Sequence, residues 1–316
     1  TPKPSSAASD VYKRQRPKII EFARENFMYT TLISVAQLKA LQASNQALMV
    51  FDCSFDLMKP EMADVMFAEK HIEGAQQAHL DRHLSTHDAS ALNGGRHPLP
   101  TREAVAAWLQ TLGFNNNMQA VVYDRHGANY CGRLWWTLKW LGHDAVAILD
   151  GGLQAWEASG GGIETGNTSK ASNSDQKASN FVLKPALREW VSTAQLAPQV
   201  GHVSLSLIDA RSAVRYRGEV EPIDPVAGHI PGALNRPFTE NIDANGFFKS
   251  PQLLRKEFET LLAGRDPQTV VHHCGSGVSA VPNIVAMELA GLGITKLYPG
   301  SWSEWCNTPG MAVAKG

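Results

Sequence analysis

Cys274 stands alone between an apolar run and a helical pattern in "TVVHHCGSGVSAVPNIVAMEL" (269–289), with two histidines before it and two glycines close behind it. A thiol is a nucleophile only as the thiolate, and a helix N-terminus or a nearby cation favours that form. Gly275 and Gly277 let the backbone curl so that successive N–H groups point inward, an anion-binding nest at the start of the next helix. The competing reading is a small buried cysteine in an ordinary strand–turn–helix, with the glycines serving only the turn. Strand end, glycines and helix start coincide here, and that convergence favours the nucleophile.

The residues that follow narrow the cargo. A cysteine phosphatase needs an arginine six residues after its nucleophile to clasp a phosphate dianion. Position 280 is Ala, and no arginine occurs between Cys274 and the end of the chain. Without that bidentate fork the loop suits a smaller, singly charged species such as a cysteine persulfide. His272 and His273 flank the thiol, and Ser276 either acts in the chemistry or caps the following helix.

The elements that must position this loop occur twice. "VVYDRHGANYCGRLWWTLKWLGHDAVAILDGGLQAW" (121–156) aligns without gaps on "VVHHCGSGVSAVPNIVAMELAGLGITKLYPGSWSEW" (270–305), at a constant offset of 149. Upstream, "LMVFDCS" matches "LSLIDARS", and "EKHIEGA" matches "AGHIPGA". In both copies β-branched runs alternate with helical patterns, which predicts α/β architecture: two tandem domains, each a parallel β-sheet flanked by helices on both faces. Ligands in such sheets bind beyond the carboxyl ends of the strands, where Cys274 falls. In the first copy Arg125 takes the position of Cys274, so that copy is expected to be catalytically silent.

The boundaries read as 28–160 for the first domain, 161–180 for a Gly/Ser/Asn/Lys-rich linker and 181–316 for the second, Cys274-bearing domain. Residues 1–27 are basic, polar and unlike anything downstream. They read as a disordered or non-native extension, with Met28 a natural start. The 316-residue chain is 43% hydrophobic and 19% charged with a net charge of −1, which removes the electrostatic footprint of a nucleic-acid binder. No apolar run approaches the roughly 20 residues that span a bilayer. The four cysteines lie far apart without metal-ligand spacing, so neither a metal nor a disulfide framework is expected, and a reducing cytoplasm fits.

The repeat, "DARSAVRYRGE", "GHIPGA", "CGSGVSA" and "GSWSEW" together resemble the rhodanese superfamily, in its tandem form with an inactive first and an active second domain. The likeness covers nearly all of residues 28–316. "CGSGVSA" is similar to the loop of 3-mercaptopyruvate sulfurtransferases, with Ser279 for a threonine. The resemblance implies a persulfide on Cys274, cradled by the amides of Gly275, Ser276, Gly277, Val278, Ser279 and Ala280. It implies that Arg215 binds a substrate carboxylate and that Ser276 acts with a histidine and an aspartate of the first domain. His71 in "KHIEGA" matches that histidine, and Asp64 is the nearest candidate for the aspartate. Mercaptopyruvate enzymes commonly carry a second arginine nine residues after the first. Asp224 stands there instead, which keeps thiosulfate open as the donor. The expected partners are a small-molecule sulfur donor and a thiol, cyanide or thioredoxin-like acceptor, with no cofactor, no nucleic acid and no membrane, acting on a monomer. A sulfur carrier or regulatory binding module is the non-enzymatic alternative, and a phosphatase is the least favoured reading.

Overall fold

The computed structural model describes residues 28–166 and 179–316. The first copy builds a five-stranded parallel sheet from β1 (Leu32–Ile33), β2 (Leu48–Asp52), β4 (Gln76–Gln77), β5 (Gln119–Tyr123) and β6 (Val146–Leu149), in the order β1-β6-β5-β2-β4. A separate two-residue strand, β3 (His71–Ile72), pairs antiparallel with β7 (Ile163–Glu164). Residues 161–166, read above as linker, therefore fold back on the first copy. The rest of the expected linker, 167–178, and residues 1–27 lie outside the described residues.

The second copy repeats the plan with β8 (Ser206–Asp209), β9 (Leu234–Asn235), β10 (Val270–His273) and β11 (Lys296–Leu297), all parallel, in the order β11-β10-β8-β9. The near-continuous apolar strands reflect burial on both faces. Along β5, Ala120 and Val122 enter one core while Val121 and Tyr123 enter another, as the two-residue period of a strand requires. β10 divides likewise, with Val270 on one side and Val271 on the other.

One face of each sheet drains into the same hydrophobic core. Phe51, Leu134, Trp135 and Trp136 of the first copy share a continuous cluster with Ile208, Phe258, Ile284 and Met287 of the second. Its centre is the contact between two repeat-equivalent helices, Cys131–Trp140 and Val281–Leu289. Every residue of the Cys131–Trp140 helix is buried, its polar side chains included. Gly132 makes the close approach possible, because a Cβ there would lie 3.2 Å from the side chain of Val281. Gly132→Val is expected to overpack this seam and destabilise the whole chain by about 1–3 kcal/mol. Equilibrium denaturation in urea, followed by tryptophan fluorescence, reads the loss as a lower midpoint.

Candidate active site

β10 ends at His273, and the chain turns through residues 274–280 into the helix Val281–Leu289. Cys274 is buried. Its N–H donates to Ser301 Oγ at 3.1 Å, and its carbonyl accepts from Trp302 N at 3.0 Å. The Gly275 carbonyl accepts from Ser303 N at 2.9 Å, so the turn is stitched to the start of the Ser301–Trp305 helix. Gly277 takes φ +73°, and a Cβ there would lie 2.4 Å from the Pro299 carbonyl oxygen, so only glycine fits.

The amides of this turn have an instructive counterpart in the first copy. There Asp124 accepts from the N–H groups of His126 and Ala128 through Oδ1 and from those of Tyr130 and Cys131 through Oδ2, at 2.7–3.1 Å. Those four donors correspond to Gly275, Gly277, Ser279 and Ala280. Position 124 corresponds to His273, which cannot fill the nest from within. Among the described residues no protein acceptor takes any N–H of residues 275–280. Arg125, level with Cys274, turns away and donates to the carbonyls of Met66 at 2.7 Å and Lys70 at 2.5 Å.

The first copy approaches the Cys274 loop with four residues that sequence reasoning missed. His97 Nδ1 lies 2.7 Å from Ser276 Oγ, and its Nε2 lies 3.4 Å from Asp81 Oδ1. Burial pushes the His97 ring down from the ordinary histidine value, with Asp81 opposing, while the hydrogen bond from His97 holds the Asp81 carboxyl down. A neutral imidazole fits the line, accepting from Ser276 and donating to Asp81. Arg133 is fully buried, with Nη1 donating to the Gly277 carbonyl at 2.9 Å and Nη2 to those of His97 at 3.0 Å and Leu84 at 3.3 Å. Burial pulls its guanidinium down to about 10, and the charge of Cys274 works the other way. Arg96 pairs with Asp224. His97 and Arg96 both come from "GGRHPLP" (94–100), whose glycines and prolines mark an ordered loop, and loops carry function.

Two expected members of the site are elsewhere. His71 is buried in the first copy, stacked on Phe67 with centroids 3.9 Å apart and with Nδ1 2.8 Å from the Phe67 carbonyl. Its repeat partner His229 does the same with Tyr216, at 3.8 Å between rings and 2.8 Å to the carbonyl. The shared position thus serves a shared packing contact, and His97 rather than His71 meets Ser276. Asp64 is half-exposed and forms a fork with Arg82, which holds its carboxyl below the usual range. Asp81 rather than Asp64 faces His97.

Arg215 does border the loop, held by Glu221 at 2.7 Å and Asp224 at 3.2 Å. Val278 and Ala280 are buried, and Ser279 is partly exposed. His273 sits between Asp209, 3.9 Å away, and the Cys274 carbonyl, while neither ring nitrogen of buried His272 has a hydrogen-bond partner among the described residues. Arg211 is committed to Asp209 and the Gly228 carbonyl and lies over the Trp302 ring, a bracing role.

Two outcomes follow from these placements. In a Cys274→Ser background, Arg125→Cys supplies a thiol at the equivalent position of the first copy. It is expected to gain no sulfur adduct by mass spectrometry, because Asp124 already holds the amides. Burial, then the charges of His273 and Arg236, push His272 to about 3. The unfolded chain therefore takes up this proton first as pH falls below 6.5, and stability contributed by the neutral ring is lost downward from that value. Denaturant titrations should show His272→Leu escaping a loss of about 2 kcal/mol between neutral pH and pH 5.

Comparison with known proteins agrees with this geometry. Residues 34–159 and 192–308 each match the family described as the rhodanese-like domain. The chain is 42% identical over 290 residues to the "Probable 3-mercaptopyruvate sulfurtransferase" of Pseudomonas aeruginosa, covering 92% of this chain and 100% of that one. It is 34% identical to "Thiosulfate/3-mercaptopyruvate sulfurtransferase 2" of Arabidopsis thaliana, over 69% of this chain and 68% of the relative. The solved structure of 3-mercaptopyruvate sulfurtransferase from Leishmania major superposes with a TM-score of 0.75 at 30% identity, covering 87% of this chain and 74% of that chain. Among the described residues no helix is long and apolar enough to cross a membrane. Two matched domains, two equivalent sheets and relatives of this kind place the chain in the rhodanese family, as a tandem-domain sulfurtransferase.

Proposed function

We propose that this enzyme moves a sulfur atom from 3-mercaptopyruvate, through a persulfide on Cys274, to cyanide, a small thiol or a reduced thioredoxin-like protein. The observation that carries the reading is the set of unclaimed amides at residues 275–280, beside a thiol, where the first copy has the same donors closed on Asp124. Cys274 thiolate attacks the donor's sulfur, the carbon–sulfur bond breaks, and pyruvate leaves as its enolate and takes a proton. The outer sulfur keeps its proton or passes it on, and the amides hold the negative charge of the resulting persulfide. An acceptor thiolate or cyanide then attacks the outer sulfur, the sulfur–sulfur bond breaks, and the Cys274 thiolate returns.

Ser276, His97 and Asp81 form the line through which the enolate's proton can come. Neutral His97 accepts from Ser276, so the hydroxyl can donate to carbon as the imidazole takes its proton, with Asp81 countering the charge. Arg215 borders Gly275 and anchors the donor's carboxylate. Asp224 and the relative named for both donors favour thiosulfate as the second reading. One chain holds both copies that meet at Cys274, which fits a monomer, and its four free cysteines fit a reducing, cytoplasmic setting.

Mass spectrometry of the donor-treated chain is expected to show one added sulfur atom on Cys274, and none in Cys274→Ser. His97→Asn should slow persulfide loading from mercaptopyruvate by roughly 10²–10⁴-fold while leaving discharge to cyanide intact, because only loading needs the proton. Equal slowing of both half-reactions would remove the relay from the mechanism. The ratio of kcat/KM for mercaptopyruvate and thiosulfate decides between the two donors.

A further inference from the structure

Each copy caps the other. The repeat offset of 149 continues upstream through the helix caps Thr101 and Ser250, which sets residues 242–248 of the second copy level with 93–99 of the first. Residues 93–99 bring His97 onto Ser276. Residues 242–248 form a tight hairpin, with Ile242 bridged antiparallel to Phe248, and lie across the Arg125 turn of the first copy. A Cβ on Gly127 would lie 3.2 Å from the Ile242 side chain, and one on Gly151 would lie 2.6 Å from the Phe247 ring. The Phe248 N–H donates to Asp150 Oδ1 at 3.0 Å.

Under this hairpin lies a cavity of about 330 Å³, walled by Asp124, Cys131, Ile148, Asp150, Ile242 and Phe248 among others. Its space has a definite origin. At the Cys274 loop His97 and Ser276 fill the contact between cap and turn. Their counterparts at the same offset are Gly246 and Gly127, both on the cavity wall, so no side chain fills the equivalent place.

The polarity of the wall is the reverse of that around Cys274. The amides of His126, Ala128, Tyr130 and Cys131 are already taken by Asp124. Arg125 also lines the wall, but its fork is spent on Ser54 and the Met66 and Lys70 carbonyls, with Asp52 3.9 Å away. Asp150 is half-buried, and among the described residues no cation pairs with it. Burial raises its carboxyl from the ordinary aspartate value against the Phe248 N–H, and the charge of Asp243 adds to the rise. A carboxylate stripped of water and without a cation gains most from a positive partner.

We propose that this counterpart cavity binds a small organic cation, its ammonium on Asp150 and an apolar body of about one ring against Ile148, Ile242 and Phe248. The volume falls at the lower end of the roughly 300–1,000 Å³ typical of ligand cavities. The duplicated plan thus yields two sites of opposite sign: open amides for an anion beside Cys274, and uncompensated carboxylate oxygen for a cation beside Arg125.

The test titrates the full ¹⁵N-labelled chain at neutral pH with benzylamine, benzyl alcohol and benzoate, which share a ring and differ in charge. Benzylamine is expected to bind saturably and to move the amide signals of Gly127, Asn245 and Gly246. The alcohol and benzoate should bind at least roughly tenfold more weakly, the scale of a lost charge-assisted hydrogen bond. Asp150→Asn keeps an oxygen for the Phe248 N–H and removes the charge, so it should weaken benzylamine by a similar factor. Cys274→Ser should bind benzylamine as the parent chain does. The proposal is overturned by absence of saturable benzylamine binding, by benzoate binding equally well, or by shifts centred on residues 275–280. Undiminished binding to Asp150→Asn overturns it as well. The three-ligand comparison on the parent chain decides the matter even where a variant loses stability.

Discussion

Gly132 lies against Val281, where a Cβ would come within 3.2 Å of the valine side chain, and this close approach of two helix starts sets where Arg133 enters the second copy. From there the guanidinium spends its donors on three carbonyls, one in the Cys274 loop and one on His97. Among the described residues no carboxylate pairs with it, so a buried cation without a carboxylate partner holds the Cys274 loop through the Gly277 carbonyl. Burying a guanidinium in this way is costly unless its N–H groups are satisfied and an anion is near. The carbonyls satisfy Nη1 and Nη2 but leave Nε without a partner among the described residues, and the charge of Cys274 acts in favour of the cation. Loop shape, histidine position and local charge thus trace back to one helix–helix contact.

The two copies show how one backbone motif serves opposite ends. A curled turn before a helix collects N–H donors wherever it occurs, and something negative must answer them. In the first copy the chain answers with its own Asp124, which fastens the turn to the end of β5. In the second copy the same position carries a histidine, and among the described residues no acceptor takes those donors. The difference lies as much in residues 124 and 273 as in the exchange of Arg125 for Cys274.

Much of this was legible in the sequence because it repeats. The offset of 149 aligned the strands, the turns and the terminal tryptophans, and α/β order followed from β-branched runs between helical patterns. The Cys274 turn was legible because its local geometry, two glycines between a strand end and a helix start, can be read from the residues themselves. His71 misled for the same reason that the repeat informed: a position kept in both copies marks what both copies need, here a ring stacked on a neighbour with its nitrogen on a carbonyl. His97, Asp81 and Arg96 belong to no repeated motif, Arg133 stands in the repeat opposite Pro282, and what these side chains touch is set only where the copies meet. No periodicity within one copy encodes a contact made 179 residues away, as between His97 and Ser276.

The continuous core between the copies has a mechanical consequence. Domains joined by small polar interfaces hinge, and many enzymes use that motion to admit substrate. Here the seam is apolar and shares tryptophans and aliphatic side chains from both sides, so prying it open would expose the interior of the molecule. The chain is built as a single rigid block with a notch in its edge. Donor and acceptor must therefore reach the buried Cys274 without the seam parting.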